Sequence, residues 1–194
     1  DGNYLYVTQF YDGLKVLELQ SGQTISVIGE CKGPPSHAKA VAVSGSYAYV
    51  ADWSAGLSVI GISTPSAPVW VGGVGTPGDA TGVAASGNYA YVADSTEGLR
   101  VIDVSNPSSP AEVGSVGTAD IAEDVAYSGG FAYVAASGSG LRVIDVGVPS
   151  APSEVAFVDT PGTSRGVAVA GGHAYVAHGN GGLRVVDISN PVAP

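Results

Sequence analysis

Apolar and small residues recur in short runs of five or six along the whole chain, and glycine-, serine- and proline-rich turns separate them. Residues 81–117 show the pattern in full. Residues 81–86 are small and apolar, and the Gly87-Asn88 pair that follows suits a tight hairpin turn needing positive φ. Residues 89–93 form a second run, ending in the turn Asp94-Ser95-Thr96-Glu97-Gly98. A third, residues 99–104, is rich in β-branched side chains and stops at Ser105-Asn106-Pro107, since proline cannot donate to a ladder. Residues 111–116 make the fourth, closed by Gly117. Such short turns leave no room for a crossover, so the pattern predicts an up-and-down antiparallel sheet without helices. The third run is apolar on both faces apart from Arg100 and Asp103, as expected for a sheet covered on both sides.

The unit repeats. Tyr47-Ala48-Tyr49-Val50-Ala51 returns as Tyr89-Ala90-Tyr91-Val92-Ala93, Phe131-Ala132-Tyr133-Val134-Ala135 and His173-Ala174-Tyr175-Val176-Ala177, each 42 residues on, and Tyr4-Leu5-Tyr6-Val7 lies 43 before the first. A Gly-Leu pair keeps nearly the same step at Gly13, Gly56, Gly98, Gly140 and Gly182. A Pro-x-x-Pro marker keeps it again from Pro65, Pro107, Pro149 and Pro191. Fixed periods of this length are the signature of stacked supersecondary units.

The first strand of each unit is slim: Val41-Ala42-Val43, Val83-Ala84-Ala85, Val125-Ala126 and Val167-Ala168-Val169. Slim side chains suit an innermost strand where sheets converge on an axis, so the reading is all-β, a β-propeller of four-stranded antiparallel blades with about 42 residues per repeat. A β-helix, with coils of roughly 20 to 30 residues and no hairpins, fits worse, and a flat array of separate sheets is the other rival. One repeat domain is expected over residues 1–194: a partial blade 1–30, blades 39–75, 81–117 and 123–159, and a partial blade 165–190. That predicts eighteen strands, with three in each partial blade. The two incomplete ends do not complement each other, so a longer parent chain or another copy is expected to supply missing blades, six to eight being ordinary for propellers.

The segments Gly98-Leu99-Arg100-Val101-Ile102-Asp103-Val104-Ser105-Asn106-Pro107, Gly140 to Pro149 and Gly182 to Pro191 resemble the LVIVD repeat of bacterial and archaeal secreted or cell-surface proteins. The resemblance covers nearly the whole chain. It implies a β-propeller and an extracellular or cell-surface location, and it implies a scaffold rather than a particular activity. Two units depart from it, with Glu18 and Gly61 where the others carry Asp103, Asp145 and Asp187.

Seventeen acidic residues against seven lysines and arginines give a formal charge of −10, which repels nucleic-acid phosphates and anionic headgroups. No nucleic-acid partner is expected. The acidity suits a protein outside the cell, although ordinary colloidal solubility explains it equally well. No apolar run approaches the roughly 20 residues of a membrane helix, so no membrane span is expected in this segment. The single cysteine, Cys31, excludes an intrachain disulfide and reads as a small, half-buried hydrophobe. The chain has no Met and opens at Asp1 directly before a strand pattern, which predicts that a signal and more sequence were removed or that these residues belong to something longer.

No catalytic residues emerge. Asp103, Asp145 and Asp187 each stand just before a turn whose amides they would cap, and a catalytic carboxylate has no reason to recur once per blade. Asp94-Ser95-Thr96-Glu97-Gly98 has the oxygens of a calcium loop without the further ligands at regular spacing, so no metal or cofactor is expected, calcium being the only ion with any sequence support. His37, His173 and His178 show no metal-ligand spacing, and His173 takes a slot held elsewhere by Tyr or Phe. There is no nucleophile elbow and no phosphate loop.

Variation is concentrated in the loops after second strands and between blades, which share one rim of a propeller and are where binding is usually placed. The candidate ligand-binding residues are Tyr11, Asp12, Asp52, Trp53, Asp94, Glu97, His178 and Asn180, with Asp79, Asp124 and Arg165 between blades. His37, Lys39, Asp120 and Glu123 belong to the same rim. Trp53 leads the set as a loop tryptophan that a sugar ring, a peptide or the adjacent blade would cover. Trp70, found where Glu112 and Glu154 stand in later units, is expected to lie across Gly61. Three functions stay open: a non-enzymatic extracellular or cell-surface module binding a protein or glycan, an enzyme with its site at the central tunnel, where Asp79, Asp124 and Arg165 would converge, or a self-assembling structural repeat.

Overall fold

A computed structural model describes residues 3–20, 24–33, 37–160 and 162–194. The period-2 runs become strands grouped in five antiparallel sheets. The first blade holds β1 (Tyr4–Gln9), β2 (Gly13–Leu19) and β3 (Ile25–Cys31). The second holds β4 (Ala40–Ser44), β5 (Tyr47–Ala51), β6 (Leu57–Gly61) and β7 (Val69–Val74). The third is β8 (Gly82–Ser86), β9 (Tyr89–Ala93), β10 (Leu99–Asp103) and β11 (Ala111–Val116), and the fourth β12 (Asp124–Ser128), β13 (Phe131–Ala135), β14 (Leu141–Asp145) and β15 (Ser153–Val158). The fifth holds β16 (Ser164–Ala170), β17 (His173–His178) and β18 (Gly182–Asp187), with a 3-10 turn at Gly179–Gly181. The architecture is a β-propeller whose three middle blades are four-stranded and whose first and last are three-stranded, so the four-stranded description holds for the middle blades alone.

First strands of successive blades lie side by side, β4 by β8, β8 by β12 and β12 by β16, which is the crowding that selects valine, alanine and glycine there. The alternation along each strand sends neighbouring side chains to opposite interfaces. Leu99 and Val101, with Tyr91 and Ala93, pack on Ala132, Val134, Ile144 and Val146 of the fourth blade. Ile102 and Val104, with Ala90 and Val92, pack on Tyr49, Ala51, Leu57 and Val59 of the second. A side chain such as fully buried Leu141 adds about 2 kcal/mol by leaving water. Tyr91 also stacks on Tyr127 of the next blade, ring centroids 4.9 Å apart, and burial pushes its hydroxyl up to about 12.

The same alternation leaves the two ends open. Leu183 and Val185 occupy the slots of buried Leu141 and Val143 yet are 63% and 56% exposed. Leu5 and Val7, in the slots of buried Ala48 and Val50, are 43% and 44% exposed.

Asp103, Asp145 and Asp187 cap turns: they accept from the amides of Ser105 (2.8 Å), Gly147 (2.8 Å) and Ser189 (2.9 Å). The Ser105 and Ser189 hydrogen bonds hold the Asp103 and Asp187 carboxyls below the usual range. Cys31 is buried against the first interface, and desolvation pushes its thiol up.

Trp70 does not lie across Gly61. A bulge between Val59 and Ile60 sets Trp70 opposite Ile60 and leaves Val69 opposite Gly61. The side-chain atom nearest the position of a Gly61 Cβ is Val71 Cγ2, at 3.3 Å. Where Ser58 and Trp70 stand in the second blade, the third has Arg100 and Glu112 and the fourth Arg142 and Glu154.

Candidate functional site

Loops after second strands and loops between blades meet on one rim, tied by the antiparallel bridges Trp53 to Ala80, Ser95 to Ala122 and Ser137 to Ser164. The bridging residue of the second-strand loop has a positive φ in each case: 48° at Trp53, 51° at Ser95 and 34° at Ser137. A tryptophan in that conformation costs roughly 1–2 kcal/mol, and the bridge offsets it with Trp53 N–H donating to Ala80 O (3.1 Å) and Ala80 N–H to Trp53 O (2.9 Å).

At the first-to-second blade junction the rim is aromatic. Phe10 lies edge-on to Tyr11 (4.8 Å), to His37 (5.0 Å) and, more distantly, to Trp53 (6.4 Å), and Tyr11 is 5.7 Å from His37. The Lys39 ammonium lies 4.1 Å from the Trp53 ring centroid and 5.0 Å from that of Phe10, a cation–π pairing that holds both rings. Tyr11 is 80% exposed. Asp12 is half-buried and reaches Lys15 at 3.9 Å, and Lys15 in turn meets Glu30 at 3.7 Å.

Asp52 and Asp94 are buried and hold loops together. Asp52 accepts from His37 N–H (2.7 Å) and Ser58 Oγ (3.3 Å). Asp94 accepts from Thr76 Oγ1 (2.5 Å) and Gly78 N–H (3.0 Å) and lies 3.3 Å from Arg100 Nε. Arg100 also meets Glu97 (3.1 Å) and Glu112 (3.3 Å), so Glu97, although exposed, has a structural partner. In the fourth blade the carboxylate changes loops: Ala136 takes the slot of Asp94, and Asp120, in the slot of Gly78, accepts from Gly138 N–H at 3.0 Å.

His178 is buried in that slot in the fifth blade, its ring packed against Gly162 and Gly181, while Asn180 is exposed in the 3-10 turn. Asp79 is half-buried between blades and Arg165 exposed at the head of β16. Asp124, at the inner end of β12, abuts Gly82 and accepts from Val125 N–H (2.9 Å) and from Val167 N–H (3.0 Å) of the next blade. Desolvation pushes its carboxyl up. Among the described residues Asp79, Asp124 and Arg165 form no ion pair with one another, and no three metal-ligating side chains cluster. His173 Nδ1–H donates to Gly171 O at 2.9 Å.

The structure thus gathers Tyr11 and Trp53 with His37 and Lys39, with Asp52 bound beneath them to His37 N–H and Asp12 beside Tyr11, while Asp94, Glu97, Asp79, Asp124, Arg165, His178 and Asn180 belong to later blades. It adds Phe10, which stands three residues before Gly13 as Trp53 stands three before Gly56.

Sheets of this connectivity arranged about an axis define a β-propeller repeat protein. The LVIVD repeat matches residues 35–76, 77–118, 119–160 and 161–194, and the chain belongs to that family. No curated protein matches the chain. Among solved structures it is similar to that of U3-55K, at 16% identity and a TM-score of 0.77, over 97% of this chain and 59% of that one. It is similar also to the RRP9 WD40 repeats, at 15% identity and 0.76 over 97% and 58%, and to the computationally designed Ika8 protein, at 14% and 0.76 over 98% and 57%. The chain spans less than two thirds of each of these three. Identity this low establishes the shared fold alone.

Proposed function

We propose that the chain is a non-enzymatic interaction scaffold, extracellular or at the cell surface, that engages a protein or glycan through the rim patch of Phe10, Tyr11, His37, Lys39 and Trp53. The observation carrying this reading is the aromatic cluster with Tyr11 at its exposed edge, because aromatic rings with a polar tip are the groups that most often anchor partners. The formal charge of −10 and the family resemblance support the location. The similarity to WD40 structures supports a scaffold. Asp124, whose two carboxylate oxygens are taken by backbone amides, gives the tunnel reading less support. Further units of the repeat, from a longer chain or another copy, cover the two apolar end faces.

The test is binding to immobilised oligosaccharides and extracellular protein fractions by the chain and two variants. Trp53→Asn suits the position because asparagine tolerates positive φ, and Tyr11→Ser leaves the core untouched. Each is expected to weaken binding at least tenfold with thermal midpoints shifted by no more than about 4 °C. Retained affinity in both variants would sink the rim assignment.

A further inference from the structure

One junction between blades lacks a ring that the next junction has. Tyr6, Tyr49, Tyr91 and Tyr133 stand at matching places in β1, β5, β9 and β13, and each packs with the first strand of the following blade. To the same clusters that first strand contributes Val43, Ala85, Tyr127 and Val169 in turn. Tyr127 stacks on Tyr91, with ring centroids 4.9 Å apart and planes 6° from parallel. Ala85 is the smallest of the four, and among the described residues no ring stacks on Tyr49.

At this junction, between the second and third blades, lies a cavity of about 260 Å³. Half-buried Tyr47 forms a wall and buried Tyr49 the floor, while the hairpin turns 44–46 and 87–88 and the turn from Val104 to Pro107 close the sides. Drug-sized ligands fill clefts of about 300–1,000 Å³, so this one suits a single ring. No charged side chain lines it; its polar groups are tyrosine and serine hydroxyls, the Asn88 amide and turn backbone. Such a lining recognises a neutral ring that carries a hydroxyl, with aromatic walls for packing and donors and acceptors for the oxygen. The cavity is at the end of the blades away from Trp53, since β5 runs from Tyr47 at the hairpin turn to Ala51 beside Asp52 and Trp53.

We propose that this cavity is a second binding site, which takes a neutral phenolic ring packed against Tyr47 and Tyr49 in the slot that Tyr127 fills over Tyr91. The ring belongs to a free phenolic compound or to a tyrosine side chain. The site is separate from the rim patch and does not depend on it.

Para-cresol is the probe, and amide chemical shifts of the intact chain followed by NMR are the measurement. Shifts are expected in residues 44–49, 87–88 and 104–107, with the roughly millimolar affinity that suits a ligand of so few atoms. Ala85→Tyr, which copies the arrangement of the next junction, is expected to abolish them. Tyr127→Ala removes atoms rather than adding them and is expected to open a second site, read as new shifts in residues 86–91 and 129–130. A Gly-Tyr-Gly peptide separates the two sources: binding tighter than that of cresol assigns the ring to a protein partner, and weaker binding to a free phenol. No shift in the lining residues, shifts that survive in folded Ala85→Tyr, no second site in folded Tyr127→Ala, or tighter binding of cyclohexanol or methyl glucoside than of cresol would each overturn the proposal. Neither variant touches Trp53 or Tyr11, so failure here is distinguishable from failure of the rim.

Discussion

Gly114→Ala is expected to lower the unfolding free energy by about 2–3 kcal/mol, the upper part of the range for forcing atoms into a filled space. A Cβ at Gly114 would run into the carbonyl oxygen of Pro149 and come within 2.9 Å of Pro152 Cδ. Gly72 meets the turn that begins at Pro107 in the same way, and Gly29 the turn that begins at Pro65. The bulge glycine of one fourth strand is thus the seat for the Pro-x-x-Pro turn of the next blade. Space is the constraint, since the backbone of Gly114 lies outside the positive-φ region. Ala156 occupies the seat in the fourth blade, so Ala156→Gly serves as the control and is expected to cost no more than about 1 kcal/mol. Urea midpoints at constant slope measure both. A Gly114→Ala midpoint equal to that of the parent would contradict the seat.

Asp94→Ala is expected to cost about 3 kcal/mol, toward the lower end for removing one partner of a buried ion pair. The substitution strips acceptors from Thr76 Oγ1 and Gly78 N–H and leaves Arg100 with Glu97 and Glu112 alone. Those two remaining carboxylates keep the cost from running higher. Asp94→Asn, which retains one acceptor oxygen, is expected to lose roughly half as much. The same urea titration checks the pair, and a change below about 0.5 kcal/mol for the alanine variant would show that the loops hold without the carboxylate.

The strands were legible because one residue pattern, repeated every 42 positions, marks both the period-2 alternation and the hairpin turns that end it. The slim first strands announced the axis for the same reason: crowding acts on every unit alike. Trp70 shows where reading by slot fails. The bulge between Val59 and Ile60 changes the residue facing Gly61, and no composition cue marks it. Asp52 and Asp94 looked like ligand groups on variable loops, but three of their donors, His37 N–H, Thr76 Oγ1 and Gly78 N–H, sit on loops 15 to 18 residues earlier in the chain, a proximity only the fold creates. The clue was present in the exchange of Asp94 and Gly78 for Ala136 and Asp120. Phe10 went unnoticed because its slot holds Trp53, Ser95, Ser137 and Gly179 in later units, with no shared chemistry.

Amide hydrogen exchange resolved along the chain tests most directly whether each unit folds as its own radial sheet between neighbours. Protection is predicted to rise and fall every 42 residues, deepest in β5, β6, β9, β10, β13 and β14, and weaker in β1 and β18, whose outer faces lack a covering blade. Protection without that period, or deepest in β1 and β18, would contradict the account.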